Sequence, residues 1–450
     1  MKKNFRISNH FREQLKQEIQ SWQTDGIINQ EQLATISQKY QLDRLSRERK
    51  NYLLFAIYVI GAALIGAGVI SFVAAHWDKI HPVPKIVLIA GCMFTCHILG
   101  FYLWKISGKS PRLGHALIVL GTLIFGANIG LLAQIFHIKE NFYNGLFAWT
   151  IGAIIMAYAL ESLPNAVTAI IISFIGFCWW IGDNPHAFCY YPIVTAAIFL
   201  PFAYLRRSVL TFIFSLLALG VSIMVCAIID AEELWAFSLA TAGIGLLFFA
   251  WGLLSERTDG FKFFAVPAMV IATILTAMIA YISSFKEIAR ESNFDRIGNW
   301  MWTIPVTACY IIATILWVSV FKSMLSNRRL RWMAISILVS ATLVFLELVV
   351  RALWPSSDRI YNFYFYIVIA SNLACLVLCI GLIASSFFAE NRGLFWAGIL
   401  FAALIIITRF FEYETGLLLK AAVFTACGIG LILAGVDFEN YLKKRRLINE

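Results

Sequence analysis

Charged side chains are scarce in this sequence. Asp, Glu, Lys and Arg make up 14% of its 450 residues, whereas a soluble domain usually carries about 25%. Hydrophobic residues reach 60%, and the mean hydropathy is +0.77. A water-soluble fold cannot hide that much apolar surface, so the composition excludes a soluble globular protein and indicates a membrane protein.

The alternation of polar and apolar residues that marks a membrane barrel is also missing. Barrel strands alternate, whereas the apolar runs here are continuous, and hydrocarbon admits only helices or closed barrels. A spanning helix needs about 20 apolar residues. The sequence therefore predicts an all-α, polytopic fold with about fourteen transmembrane helices. The expected spans are 52–75, 83–104, 113–136, 143–160, 164–181, 189–205, 208–229, 233–254, 262–283, 299–321, 331–350, 361–388, 393–410 and 416–437.

The N-terminus lacks the features of a signal peptide. MKKNFRISNHFREQ has no apolar stretch directly behind its basic residues and no small-residue cleavage site. We therefore expect the first apolar run to insert the chain. The net charge is +10, but the basic residues do not form one patch interleaved with aromatic residues, so we expect no nucleic-acid partner.

Lys and Arg are concentrated in the two tails and in alternate loops. Cytoplasmic loops are enriched in these residues, and an even number of spans puts both ends on one side. The pattern predicts that both termini are cytoplasmic, with the lipid bilayer as the main partner. The chief basic residues of the inner loops are Lys105, Lys109, Arg112, Arg206, Arg207, Lys322, Arg328, Arg329 and Arg331.

Residues 1–50 have helical periodicity without a span. Two apolar faces are separated by a break at Gly26, which predicts a cytosolic amphipathic helical hairpin. We expect it to dock on the membrane domain or on a cytosolic protein partner, and a solvated segment is the alternative. Residues 51–437 would form the transmembrane domain and 438–450 a basic cytosolic tail. The two faces consist of Leu15, Ile19 and Trp22, and of Leu33, Ile36 and Tyr40.

Three sequence stretches are specific enough to carry a resemblance. They are LxxEIxxWxxxGIIxxEQ in the hairpin, GVISFVAAHWDKIHPVPK at the end of the first span, and GTLIFGANIGLLAQIFHI in the third. Over about the first 160 residues the chain resembles the domain-of-unknown-function 2157 family of predicted bacterial membrane proteins. The resemblance implies a multi-pass protein of the bacterial inner membrane, and it implies no reaction or substrate.

Nucleophile–base pairs, phosphate loops and metal clusters are absent from the sequence. The nine cysteines lie within or at the edge of apolar runs, where Cys behaves as a small hydrophobe, so we expect no disulfide framework. Cys92, Cys96 and His97 could hold a soft metal, but a fourth ligand is missing and ordinary packing is favoured. We expect no catalytic residues, no metal and no cofactor.

Ionisable residues inside a membrane are costly and are candidates for function. In this chain they avoid the centres of the spans and collect toward the predicted outer face. We expect a subset to converge into one polar pocket that opens outward, although interface chemistry is the alternative for each residue. The pocket would consist of Asp78, Lys85, Glu347, Arg351, Arg409, Glu412 and Lys420.

Two polar residues lie inside a predicted span. Asn128 and Gln134, beside Gly121, Gly126 and Gly130, favour either a close helix contact or a segment that faces a cavity.

Two functional classes remain. Span number, the Gly and Asn interruptions and a similarity between 68–78 and 220–230 favour a transporter or translocation component for an envelope-side solute or lipid-linked substrate. The alternative is a non-catalytic scaffold or sensor that recruits a cytosolic partner through the hairpin. A polar cavity reaching mid-membrane would favour transport.

Overall fold

A computed structural model describes residues 15, 18–19, 21–23, 25–40, 81–108, 110–138, 141–185, 187, 189–231, 234–258, 260–287, 303–326, 328–353, 357–412 and 417–449. Every regular element within these ranges is helical. The helices are α1 (Gln30–Tyr40), α2 (Pro82–Ile106), α3 (Pro111–Ile135), α4 (Phe142–Leu160), α5 (Leu163–Asp183), α6 (Tyr191–Leu205), α7 (Val209–Ala231), α8 (Leu234–Arg257), α9 (Lys262–Ser283), α10 (Thr303–Ser326), α11 (Arg328–Leu353), α12 (Ser357–Ala389), α13 (Arg392–Glu412) and α14 (Leu417–Asn449).

Ten of the described helices are long and apolar enough to cross a membrane, namely α2–α5, α7–α10, α12 and α13. The apolar segments of α6 and α11 are shorter. The predicted span 52–75 lies outside the described residues. Of the predicted span 416–437, residues 417–437 fall within α14, which is not among the ten. The all-α membrane architecture is therefore confirmed, and the number fourteen stays a prediction.

The chain divides into two compact units, residues 1–87 and 88–450. In the first unit a turn at Gly26, which has a φ of +72°, separates short helical stretches from α1. Asn29 precedes α1 and forms reciprocal bonds with Gln32. The Asn29 Oδ1 accepts from the Gln32 N–H at 2.8 Å, and the Gln32 Oε1 accepts from the Asn29 N–H at 2.9 Å. This capping box satisfies two helix-end donors. The cytosolic location of the segment stays a prediction.

The core of the second unit is built around α8. Gly245 and Gly252 lie seven residues apart on the face of α8 that contacts α9. A Cβ added at Gly245 would lie 2.5 Å from the Thr276 Oγ1, and one at Gly252 would lie 2.6 Å from the Met269 Cγ. Small residues bring membrane helices together in this way, so α8 and α9 form a close hairpin.

Helices α8 and α10 run parallel and in register. The Tyr310 hydroxyl donates to the carbonyl of Leu239 at 3.0 Å, and the Trp317 indole N–H donates to that of Leu246 at 3.1 Å. The two donors are seven residues apart and so are the two acceptors, so the two helices run in the same direction. Two spans separated by a single intervening span cross a membrane in the same direction, and α9 is the span between α8 and α10.

Two ion pairs agree with helices that cross the bundle in alternating directions. Arg206, which follows α6, forms a 2.7 Å ion pair with Glu161, which follows α4. Arg392 at the start of α13 forms a 2.7 Å ion pair with Glu439 in the last part of α14. In both cases the partners lie at helix ends that alternation places on the same face. Which face is cytoplasmic stays a prediction from the charge distribution.

Helix α6 contains a five-residue π-helical segment, Thr195–Phe199. Pro201 follows two residues after Phe199 and has no N–H to donate to the preceding turn. The Tyr158 hydroxyl of α4 donates to the carbonyl of Ile198 at 2.6 Å and so supplies a partner to a carbonyl within the irregular segment. The proline and the π segment leave α6 as a short, internally broken passage.

Candidate polar site between α9, α12 and α13

A buried polar cluster joins the ends of α9 and α13. Arg409 and Glu412, in the last turn of α13, form an ion pair at the i,i+3 spacing. Their side chains are only 15% and 11% exposed. A charge that is largely removed from water persists cheaply only when it is paired and hydrogen-bonded.

The Arg409 guanidinium reaches across to the C-terminal end of α9. Its Nη1 donates to the carbonyl of Ser284 at 2.8 Å, and its Nη2 donates to the Ser284 Oγ at 2.6 Å. The last carbonyls of a helix have no partner within the helix and carry partial negative charge. Arg409 therefore caps α9 from a neighbouring helix, and the face of its guanidinium lies 4.3 Å from the centroid of the Phe285 ring.

Glu412 and Asn372 complete the cluster. The Glu412 Oε1 accepts from the backbone N–H of Lys286 at 2.6 Å. On α12, the Asn372 amide donates to the Val368 carbonyl at 2.7 Å and to the Ser284 carbonyl at 3.4 Å. We call Arg409, Glu412, Ser284, Phe285, Asn372 and the N–H of Lys286 the Arg409 network.

The network is not fully satisfied. The Nε of Arg409 is buried and has no hydrogen-bond partner. Cys375 lies one turn beyond Asn372 on α12, beside Ser284 and Arg409, and is buried with a free thiol. Cys379, a further turn along the same helix, is also buried and free. A polar layer at the helix ends is thus followed along α12 by buried thiols.

Only part of the predicted outer pocket can be located. Asp78 lies outside the described residues, and the side chains of Glu347, Arg351 and Lys420 are not described, although their backbones are helical. Lys85 lies in the first turn of α2 and in the first unit, with its N–H directed to the His81 carbonyl at 3.4 Å. The full seven-residue pocket stays a prediction. The partners missing from it, Ser284 and Asn372, are neutral residues and escape a search for charges.

The second predicted polar position lies where α2, α3 and α4 pack together. Asn128 is buried, and its amide lies 3.8 Å from the Met93 sulfur, whereas Gln134 is exposed. A Cβ at Gly121 would meet the His97 ring at 2.5 Å, and one at Gly126 would meet the Trp149 ring at 2.2 Å. These two glycines serve close helix contacts. A binding role for Asn128 and Gln134 stays a prediction.

One pair of cysteines departs from the expectation for this chain. Cys189, just before α6, is disulfide-bonded to Cys226 near the end of α7, and both are buried. The sequence predicted no disulfide framework, and this single bond departs from that expectation. The two lie 37 residues apart, and spacing within apolar runs does not reveal that α6 and α7 bring them together.

A known family model matches the first part of the chain. Residues 20–166 match a family model described as Predicted membrane protein (DUF2157). The resemblance drawn from the N-terminal motifs is therefore confirmed. No curated protein and no solved structure matches the chain. The Arg409 network lies outside the matched segment, so its interpretation depends on its own geometry.

Proposed function

We propose that this protein is a transporter or translocation component for an envelope-side solute or lipid-linked substrate, and that the Arg409 network closes its outer end. The observation that supports the proposal is the kind of contact that joins α9, α12 and α13 there. Three helices meet at the Ser284 carbonyl through hydrogen bonds from Arg409 and Asn372.

Packed apolar side chains would stabilise a permanent contact between these helices at least as well as an ion pair. Replacement of a buried ion pair by packed hydrophobic residues is often neutral or stabilising, so a retained pair is weak support for stability alone. Polar contacts can be exchanged for contacts with water when helix ends separate. We therefore assign the network the role of a reversible closure, with transport as the process that it gates.

Opening would expose Cys375 first, because it lies directly beside Ser284 and Arg409 on α12. The test uses variants that keep only Cys375 or only Cys379 among the free cysteines, treated with a membrane-impermeant thiol reagent. Arg409→Gln should raise the labelling rate of Cys375 from the side at which α9 ends, with a smaller rise at Cys379. The matched control is Arg392→Gln, which breaks the ion pair with Glu439 at the opposite ends of the helices.

Three outcomes count against the proposal. If Cys375 stays protected after Arg409→Gln while the protein remains inserted, the network is a structural clamp and closes no path. If Arg392→Gln raises the labelling equally, the effect reports general loosening of the bundle. A charge reversal at Arg409 that impairs activity no more than one at Lys139, which the sequence predicts to lie in a loop, would also count against the network.

The alternative role, a scaffold or sensor, is favoured by one feature of the N-terminal unit. Its capped helix α1 is preceded by Ile27, which is 68% exposed, and an exposed apolar side chain at a turn suits contact with a protein partner. Deletion of residues 2–45 should then abolish recruitment of a cytosolic protein while insertion persists. Loss of all inserted protein would instead show that the segment belongs to the core fold.

A further inference from the structure

A groove on the lipid-facing side of the bundle is lined by three helices and is almost entirely apolar. It has a volume of about 380 Å³ and is lined by Leu246 of α8, by Ala313, Thr314, Trp317, Val318 and Phe321 of α10, and by Leu338 of α11. Its floor is buried, whereas Val318 on the rim is 73% exposed.

The floor of the groove is held in a fixed conformation. The Trp317 indole donates to the Leu246 carbonyl at 3.1 Å and stacks on Phe249 with ring centroids 6.0 Å apart. The groove therefore cannot be closed by rotation of Trp317 without loss of a buried hydrogen bond. In a bilayer an apolar groove that opens sideways is in contact with acyl chains, and an empty one would forfeit dispersion contacts along its lining.

Each flanking helix carries an arginine in register with the groove. Arg257 lies eleven residues after Leu246 on α8, and Arg331 lies seven residues before Leu338 on α11. Both spacings return to nearly the same helix face. The arginines are displaced toward the same end of the bundle, by about 16 and 10 Å along the helix axes. Arg257 is fixed there by a 2.8 Å bond to the Ser319 carbonyl of α10.

At this end of the bundle the sequence has more basic residues than acidic ones. Lys322, Arg328 and Arg329 fall at the junction of α10 and α11, and the acidic residues close by in the sequence are Glu256 and Asp259. Glu256 points about 100° away from Arg257 around the helix. A lipid headgroup above the groove would therefore meet a surplus of cations.

We propose that this groove binds the acyl chain of a phospholipid with an anionic headgroup, which Arg257 and Arg331 select. The apolar stripe at 314, 317, 318 and 321 holds the chain, and the two arginines contact the phosphate and the additional negative charge. Basic pockets between membrane helices bind anionic lipids by this combination. The inference does not depend on transport, because the groove and the Arg409 network lie on different parts of the bundle.

The test uses the full chain in phosphatidylcholine vesicles that contain a minor fraction of a lipid with a photoactivatable acyl chain. The headgroup of that lipid is either phosphatidylglycerol or phosphatidylcholine, and the labelled peptides are mapped by mass spectrometry. We expect labelling of the α10 and α11 peptides to be stronger with the anionic headgroup. Each arginine removed should lower that preference by about fivefold.

Variants separate the groove from the headgroup site. Thr314→Phe fills the groove and should remove the label, whereas Ile315→Phe, the same addition on a neighbouring lipid-facing position, should not. Arg331→Gln should lower the labelling by phosphatidylglycerol and leave that by phosphatidylcholine unchanged. Arg257→Lys keeps the charge and should retain most of the preference, and Arg112→Gln is the control for loss of a basic residue elsewhere.

Equal labelling by the two headgroups, unaffected by Arg331→Gln, would overturn the proposal and leave only ordinary contact with bulk lipid. A crosslink between two copies of the chain at Val318 would overturn it as well, since the groove would then be a dimer interface. If Thr314→Phe fails to fold, the headgroup comparison with Arg331→Gln still tests the site. The Cys375 labelling rate is a separate readout, so failure here leaves the proposed closure standing.

Discussion

Arg409 and Glu412 should be energetically coupled far more strongly than an exposed ion pair. Arg409→Gln leaves the Glu412 carboxylate, 11% exposed, with a hydrogen bond from the Lys286 N–H. Removal of one partner from a buried pair costs about 3–5 kcal/mol. Because both side chains retain some exposure, we expect about 3 kcal/mol for this variant.

Glu412→Gln should cost less. Arg409 would still donate to two oxygen atoms of Ser284, and the lost contact is worth about 1–2 kcal/mol. The double variant removes both charges together and avoids the isolated carboxylate, so its cost should fall short of the sum. We expect a coupling energy of about 1–3 kcal/mol between the two positions.

The measurement is equilibrium unfolding of the four proteins in mixed micelles, followed by circular dichroism as the fraction of denaturing detergent rises. The pair Arg392 and Glu439 gives a matched control, because its side chains are 54% and 39% exposed and its coupling should stay below about 1 kcal/mol. A coupling at Arg409 and Glu412 no larger than that of the control would refute the reasoning, since it would mean that water reaches the network freely.

Three further outcomes follow from the same structure. Gly252→Ala should lower the free energy of unfolding by about 1–3 kcal/mol in the same assay, because its Cβ would meet Met269 and a backbone carbonyl. Gly130→Ala has open space around the new Cβ and should raise the free energy of unfolding by about 0.5–1 kcal/mol through better helix propensity. Cys189 and Cys226 should resist alkylation in intact cells until a reductant is added, and their replacement by alanine should cost about 2–4 kcal/mol; alkylation without reductant would contradict the bond. A reporter fused after Lys444 should be active only as a cytoplasmic reporter and one in the segment after α9 only as an extracytoplasmic one, and the reverse pattern would overturn the orientation.

The disulfide and the charge distribution bear on orientation independently. Disulfides persist in oxidising compartments outside the cytosol, and Cys226 lies toward the end of α7 that the distribution of Lys and Arg assigns to the outside. The two criteria use different residues and different chemistry. Their agreement makes the alkylation experiment a second test of the predicted topology.

Hydropathy located the spans well where polar residues bound an apolar run on both sides. The span expected at 262–283 coincides with α9 (Lys262–Ser283), and that expected at 164–181 lies within α5 (Leu163–Asp183). It performed less well at α6, where Pro201 and the π segment divide the passage. Apolar content reports how long a run is, and it does not report whether the backbone within that run is regular.

The sequence indicated the charged residues of the candidate site but not their neutral partners. Arg409 and Glu412 lie three residues apart, a spacing at which helical side chains can meet, and the two form an ion pair. The principal partner of Arg409 is the Ser284 carbonyl on α9. A backbone carbonyl has the same chemistry at every residue, so no sequence pattern marks the one that is used.

Hydrogen bonds from a side chain of one helix to a backbone carbonyl of another recur elsewhere in the bundle. Tyr158, Arg257, Tyr310 and Trp317 each donate from one helix to a main-chain carbonyl of another. A helical carbonyl that already accepts one hydrogen bond retains a second lone pair, and a donor surrounded by hydrocarbon must find such an acceptor. A Tyr or Trp within an apolar run therefore predicts a neighbouring helix at that depth, and only the three-dimensional structure identifies which helix it is.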